Sequence, residues 1–154
     1  MFSRQLSVSR KHLLRLLILV ALLSLLVAVI PAAAQGRPFS TTLTGAAEVP
    51  GPGDPDGSGT AHISLNQGLG EVCFELVVEG IAPATASHIH FAPAGVAGGV
   101  VVPLTPPPTE GSSSACVSVD PDLIKAIRQN PEEYYVNVHN ADFPAGALRG
   151  QLSK

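Results

Sequence analysis

Among the residues able to do chemistry, His88-Ile89-His90 carries the most information. In a strand, residues two apart project to the same side, roughly 6.5 Å from each other. Two imidazoles would therefore stand side by side while Ile89 and Phe91 turn toward a core. His139 lies in the run Tyr134–Asn140, where Tyr135, Asn137 and His139 share one face and Tyr134, Val136 and Val138 the other. All three histidines fall on non-core faces, so strand pairing can bring them together. Three neutral imidazoles with a fourth position left over suit Zn²⁺ or Cu²⁺, and Asp142 or Tyr135 could add an oxygen. No spacing rule steers His139 toward the H-x-H, however. The residues alone favour the plainer reading: hydrogen-bonded strand histidines that fix loops and tie down Arg149. His62, alone on a polar strand face, reads as surface.

The other reactive residue types form no catalytic constellation. There is no G-x-S-x-G, and Ser112–Ser114 sit beside Gly111 in what reads as a loop. Glu132-Glu133 follow Pro131 as a solvated turn would. Gly95-Val96-Ala97-Gly98-Gly99 lacks the lysine and the strand–loop–helix setting of a phosphate loop. Asp54-Pro55-Asp56-Gly57 has D-x-D-G spacing, but a calcium loop needs further oxygen ligands and a Glu at its twelfth position, where this chain has Leu65. A solvated turn accounts for it. The expectation is a protein that is not an enzyme and requires no cofactor, with copper or zinc as the ion to consider.

The elements that must position these residues follow from period-2 patterning. Val72, Phe74, Leu76 and Val78 alternate with Glu71, Cys73, Glu75 and Glu79, giving one core face and one wet face. Alternation also marks Phe39–Leu43 and Ala61–Leu65, with a hairpin loop at Asn66–Gly70. Further strands are predicted at Ser87–Phe91, Val100–Leu104, Ala115–Val119, Tyr134–Asn140 and Ala147–Leu152. A short helix is predicted over about 120–130: Asp120 caps it, Pro121 suits its first turn, and Asn130-Pro131 ends it. Val49–Gly59 and Thr105–Ser114 read as loops. The predicted class is all-β, an antiparallel Greek-key or immunoglobulin-like β-sandwich of about eight strands.

Composition divides the chain in two. Residues 1–15 hold Arg4, Arg10, Lys11 and Arg15 and no acid, an apolar run spans Leu16–Ile30, and Pro31-Ala32-Ala33-Ala34 follows. A basic start, an apolar stretch of about 15 residues and an A-x-A end describe a secretory signal peptide over 1–34. The stretch is short of the roughly 20 residues a spanning helix needs, so no stable membrane insertion is expected after cleavage. The remainder, 35–154, is a single domain with five basic residues against twelve acids. Such a balance disfavours nucleic acid and anionic lipid as partners. An exported location (periplasm, cell surface or extracellular) makes a Cys73–Cys116 disulfide the default. Both cysteines point away from the core, so they meet only if their strands are neighbours or share an edge. Closing such a loop stabilises by roughly 3–4 kcal/mol.

Taken together, Ser87-His88-Ile89-His90, then Gly95-x-x-Gly98-Gly99-Val100-Val101-Val102-Pro103-Leu104, then Tyr134-Tyr135-Val136-Asn137-Val138-His139-Asn140, then Phe143-Pro144-Ala145-Gly146-Ala147-Leu148-Arg149-Gly150-Gln151-Leu152 resemble the CHRD domain, named for chordin. The resemblance runs from about Phe39 to Leu152. Two departures are Asn140, where Thr is commoner, and Ala147-Leu148 in place of an acidic-aliphatic pair. It implies a secreted all-β domain in which Asn137, Arg149, Gly150 and Gln151 are motif positions. It implies no activity, and chordin's growth-factor binding does not carry over, because this chain lacks the additional cysteine-rich modules. The H-x-H strand is also similar to that of copper/zinc superoxide dismutase. That enzyme uses six histidines and an aspartate, which the four histidines of 35–154 cannot supply. The expected function is a secreted non-enzymatic module that binds a protein or envelope ligand. The alternative is an extracytoplasmic Cu/Zn-binding protein using His88, His90 and His139.

Overall fold

The structure, a computed structural model, describes residues 38–107 and 111–153. The predicted signal segment lies outside the described residues. Among these, no helix is long and apolar enough to cross a membrane.

Among the described residues eight strands form: β1 Phe39–Thr44, β2 Ser58–Asn66, β3 Glu71–Glu79, β4 Ala84–Phe91, β5 Gly99–Leu104, β6 Gly111–Ser118, β7 Tyr134–Asn140 and β8 Leu148–Gln151. Among the described residues one α-helix, α1, spans Pro121–Gln129 between β6 and β7. All strand pairs are antiparallel and run in the order β5-β4-β7-β8-β1-β2-β3-β6. The all-β class, the strand number and the helix are as predicted. The architecture differs from two separate face-packed sheets: the strands make one nearly closed, barrel-like sheet. Its two halves, β5-β4-β7-β8 and β1-β2-β3-β6, join through the single pair Thr44↔Arg149. A Cβ on Gly150 would stand 2.5 Å from the Thr42 carbonyl oxygen, so glycine is what lets β8 lie against β1 there. At the opposite margins, among the described residues, β5 pairs only with β4 and β6 only with β3, with Pro103 inside β5. Ser113 Oγ donates to the Thr105 carbonyl at 2.8 Å, drawing the two margins toward one another.

Period-2 alternation selects the interior. Leu43, Ile63, Val72, Leu76, Val78, Ile89, Val136 and Leu148 all face inward and are fully buried. Helix α1 closes the core with Ile124 and Ile127, and Asp120 caps it by accepting the Asp122 N–H at 2.7 Å. Cys73 and Cys116 are directly opposite one another on β3 and β6 and are joined by a disulfide. Outward-facing cysteines on neighbouring strands thus satisfy the condition set by their patterning.

Three local expectations change. Phe91 does not enter the core; the last residue of β4, it is 52% exposed and leans on Tyr134. Strand β6 begins at Gly111, so Ser112–Ser114 belong to a strand and not to a loop. Finally, the turn at Val49–Gly59 is not simply solvated. Gly53, Asp54 and Gly57 are buried, and the Gly53 and Asp54 N–H groups donate to the Gly45 and Ala147 carbonyls.

Candidate metal centre

Strands β4 and β7 bring the predicted histidines together. Their register sets His88 opposite Asn137, His90 opposite Tyr135 and Ala86 opposite His139. His139 is therefore the diagonal neighbour of His88 on the same face, within reach of a long side chain. The ring centroids are 5.4 Å apart for His88–His90, 5.1 Å for His88–His139 and 6.0 Å for His90–His139. One nitrogen from each ring lies within 4.8 Å of the other two.

Two of the rings are held from behind. His90 Nδ1 lies 2.9 Å from the Gly98 carbonyl, and His139 Nδ1 lies 3.1 Å from the Pro144 carbonyl. A carbonyl only accepts, so Nδ1 carries the proton in both and Nε2 keeps its lone pair. A backbone carbonyl on the far nitrogen is how metal-ligating histidines are commonly oriented. His90 Nε2 is buried without a hydrogen-bond partner, which would cost free energy if nothing ever met it. His88 Nδ1 sits 3.2 Å from His139 Nε2. With the His139 proton on Nδ1, His88 Nδ1–H donates across this edge, and a tetrahedral ion with bonds near 2.0–2.1 Å, whose donors stand roughly 3.3 Å apart, would take that proton's place.

Burial holds all three imidazoles below the ordinary histidine pKa. For His88 the neighbouring His139 and His90 add to that effect; for His90 and His139 the carbonyl bonds oppose it in part, and Arg149 and His90 respectively lower them further. Neutral imidazole is the ligating form. The fit to a transition-metal ion is thus good in donor type and spacing, and in tautomer at His90 and His139.

The face on which these rings stand is a second buried layer, polar in character. Tyr135, expected as a possible oxygen ligand, is committed elsewhere: its hydroxyl accepts the Gly98 N–H at 3.1 Å and its ring stacks on His90 at 4.8 Å. The Arg149 guanidinium covers the Tyr135 ring at 3.5 Å and donates to the Val96 and Pro93 carbonyls at 2.9 and 3.0 Å. Gln151 Nε2 reaches the Ala92, Glu132 and Tyr134 carbonyls. Arg149 and Gln151 therefore clamp the 92–98 loop, whose Gly98 carbonyl fixes His90. The histidines fix loops, as the plainer reading expected, but Arg149 is tied to carbonyls and an aromatic ring rather than to them. Asp142 is exposed and is not part of the three-histidine group. His62 is exposed and pairs with Ser40 Oγ at 2.7 Å.

Glu48 is a buried participant that patterning did not single out. Its carboxylate accepts from Asn137 Nδ2 and lies against Gly146, where a Cβ would collide with it. Burial raises its pKa to about 7, against the pull of Asn137, Arg149 and the Val49 N–H. Its only sequence signal is an acid at the mouth of a proline-rich turn.

A family model for the CHRD domain matches residues 39–152. No curated protein and no solved structure matches the chain.

Proposed function

Because the chain belongs to the CHRD domain family, we propose that it is an exported, non-enzymatic CHRD module that binds a transition-metal ion, copper or zinc, at His88, His90 and His139. The observation that carries this reading is the convergence of three imidazole nitrogens, two on rings whose tautomer is fixed by a backbone carbonyl. Export rests on the segment 1–34 and agrees with the Cys73–Cys116 disulfide, a bond typical of oxidising compartments. The ligands come from two adjacent strands of one sheet, so the site needs no rearrangement of the fold to form.

Metal analysis of protein exported and folded without added metal tests the proposal, with a triple His→Ala variant as control. Near-stoichiometric copper or zinc that disappears in the variant is the expected result. Equal metal content in both proteins refutes it.

A second reading is an exported module that binds a protein or envelope ligand without metal. Exposed Phe91, Val96 and Val100, grouped at the β4–β5 hairpin, favour it. Loss of partner capture on replacing these side chains, with no change on replacing the histidines, would separate the two.

A further inference from the structure

We infer that the three-histidine site selects a singly charged soft ion, Cu(I), over Zn²⁺ and Cu(II); this rests on the metal-binding reading above. The charge inventory of the site carries the inference. The group consists of three neutral imidazoles with no carboxylate among them. Both thiols of the chain are locked in a disulfide. The second-sphere contacts on His90 and His139 are carbonyl oxygens, where zinc sites often use carboxylates. Asp142 is exposed and outside the group.

A cation, Arg149, acts on His90. Arg149 lies 3.5 Å from the centre of the Tyr135 ring, and that ring stacks on His90 at 4.8 Å. Glu48, the acid that enters this layer, is held by Asn137 and does not reach the histidines' group. An ion placed here keeps its full charge in a half-buried setting. The cost of moving an ion out of water scales with the square of its charge, so a dication pays about four times what a monocation does. Arg149 adds repulsion that is twice as large for the dication.

Coordination preference acts in the same direction. Cu(II) favours tetragonal sites, which three imidazoles on two adjacent strands do not supply, and Zn²⁺ would have to keep a water as its fourth ligand. Cu(I) has no d-electron geometry preference and is satisfied by three nitrogens. The carbonyl anchors on His90 and His139 keep the donors from spreading into a square plane.

The test uses protein exported from the full chain, loaded with Cu(I) under anaerobic conditions, exposed to air and challenged with excess Zn²⁺. Electron paramagnetic resonance and copper-edge X-ray absorption report the oxidation state and ligand set. The expected result is EPR-silent copper bound by three nitrogens and not displaced by zinc. His88→Gln is the companion variant, because His88 makes no anchor to a backbone carbonyl; its fold is checked by circular dichroism. It should weaken Cu(I) binding by at least about 10–100-fold. A tetragonal Cu(II) signal, or copper displaced by zinc, overturns the Cu(I) selectivity while leaving the metal site standing. Metal retained equally by wild type and H88Q would overturn the three-histidine site itself.

Discussion

Arg149 is the residue whose removal has the most far-reaching consequence. The substitution Arg149→Met keeps most of the stem volume while deleting the guanidinium. It removes donors to Val96 and Pro93 and one to Gln151 Oε1, together with the cover over Tyr135. A hydrogen bond from a charged group contributes about 1.5–3 kcal/mol when its partner is sealed from water. Pro93 and Val96 are exposed, so water re-satisfies their carbonyls and each loss falls to the low end. The cation–π contact adds about 1–2 kcal/mol for a desolvated guanidinium. Against these stands the relief of a buried charge, since Arg149 is only 2% exposed. The net destabilisation is about 2–4 kcal/mol, in the range of a broken buried polar network. Urea unfolding followed by circular dichroism should show the midpoint fall by roughly 1–2 M, given slopes of about 1–3 kcal/mol/M for small domains. Nitrogen chemical shifts of His90 should also lose their fixed Nδ1–H pattern as the Gly98 carbonyl drifts. A loss under about 0.5 kcal/mol with the His90 tautomer unchanged would refute the clamp, because that is the scale of an ordinary surface substitution.

Other expectations follow from the same structure. Glu48 titrates near pH 7 in the fold against 4.5 ordinarily, so between those values the folded form keeps a proton that the unfolded chain has released. Stability should fall as pH rises through that window and level off above it, by on the order of 2–3 kcal/mol. Denaturant titrations of Glu48→Gln should be flatter across the same window; an unchanged slope would count against the burial of this carboxyl. Replacing both Cys73 and Cys116 by Ser opens a link between residues 43 apart in sequence, a loss of about 4 kcal/mol on the loop-entropy model, read as a lower thermal midpoint. Gly150→Ala drives a Cβ into the Thr42 carbonyl and should cost more than about 2 kcal/mol in urea unfolding, since backbone cannot step aside as a flexible side chain can. Wild-type stability in that variant would mean the β1–β8 seam is looser than described.

Sequence patterning locates what repeats locally and misses what depends on distant partners. Glu71–Glu79 and Tyr134–Asn140 are legible to the residue, because unbroken alternation marks them and turn residues bound them. Strand β4 starts three residues earlier than its alternation suggests, since the register shift between Ala84 and Ala86 hides the pattern. The joining of two half-sheets into a nearly closed barrel leaves no periodic trace, as it rests on one residue pair and a glycine. The histidines were readable as a set sharing non-core faces, and their convergence was not, because it depends on β4 pairing β7 in one particular register. Alternation also equates a non-core face with a wet one. Tyr135, Asn137 and Arg149 break that equation: loops cover their side of the sheet, and the cover is made by residues far away in the chain.

The two margins of the sheet are chemically unequal, and this bears on how copies of the protein can meet. Pro103 deletes a backbone donor from β5, whereas β6 runs from Gly111 to Ser118 without a proline. Strand-to-strand growth from molecule to molecule requires one margin to add onto the other at every step. With one donor missing from its ladder, β5 makes a weaker junction at each such step. A pair formed through β6 leaves the interrupted β5 margins to extend from. One imino acid thereby disfavours growth through the β5 margin.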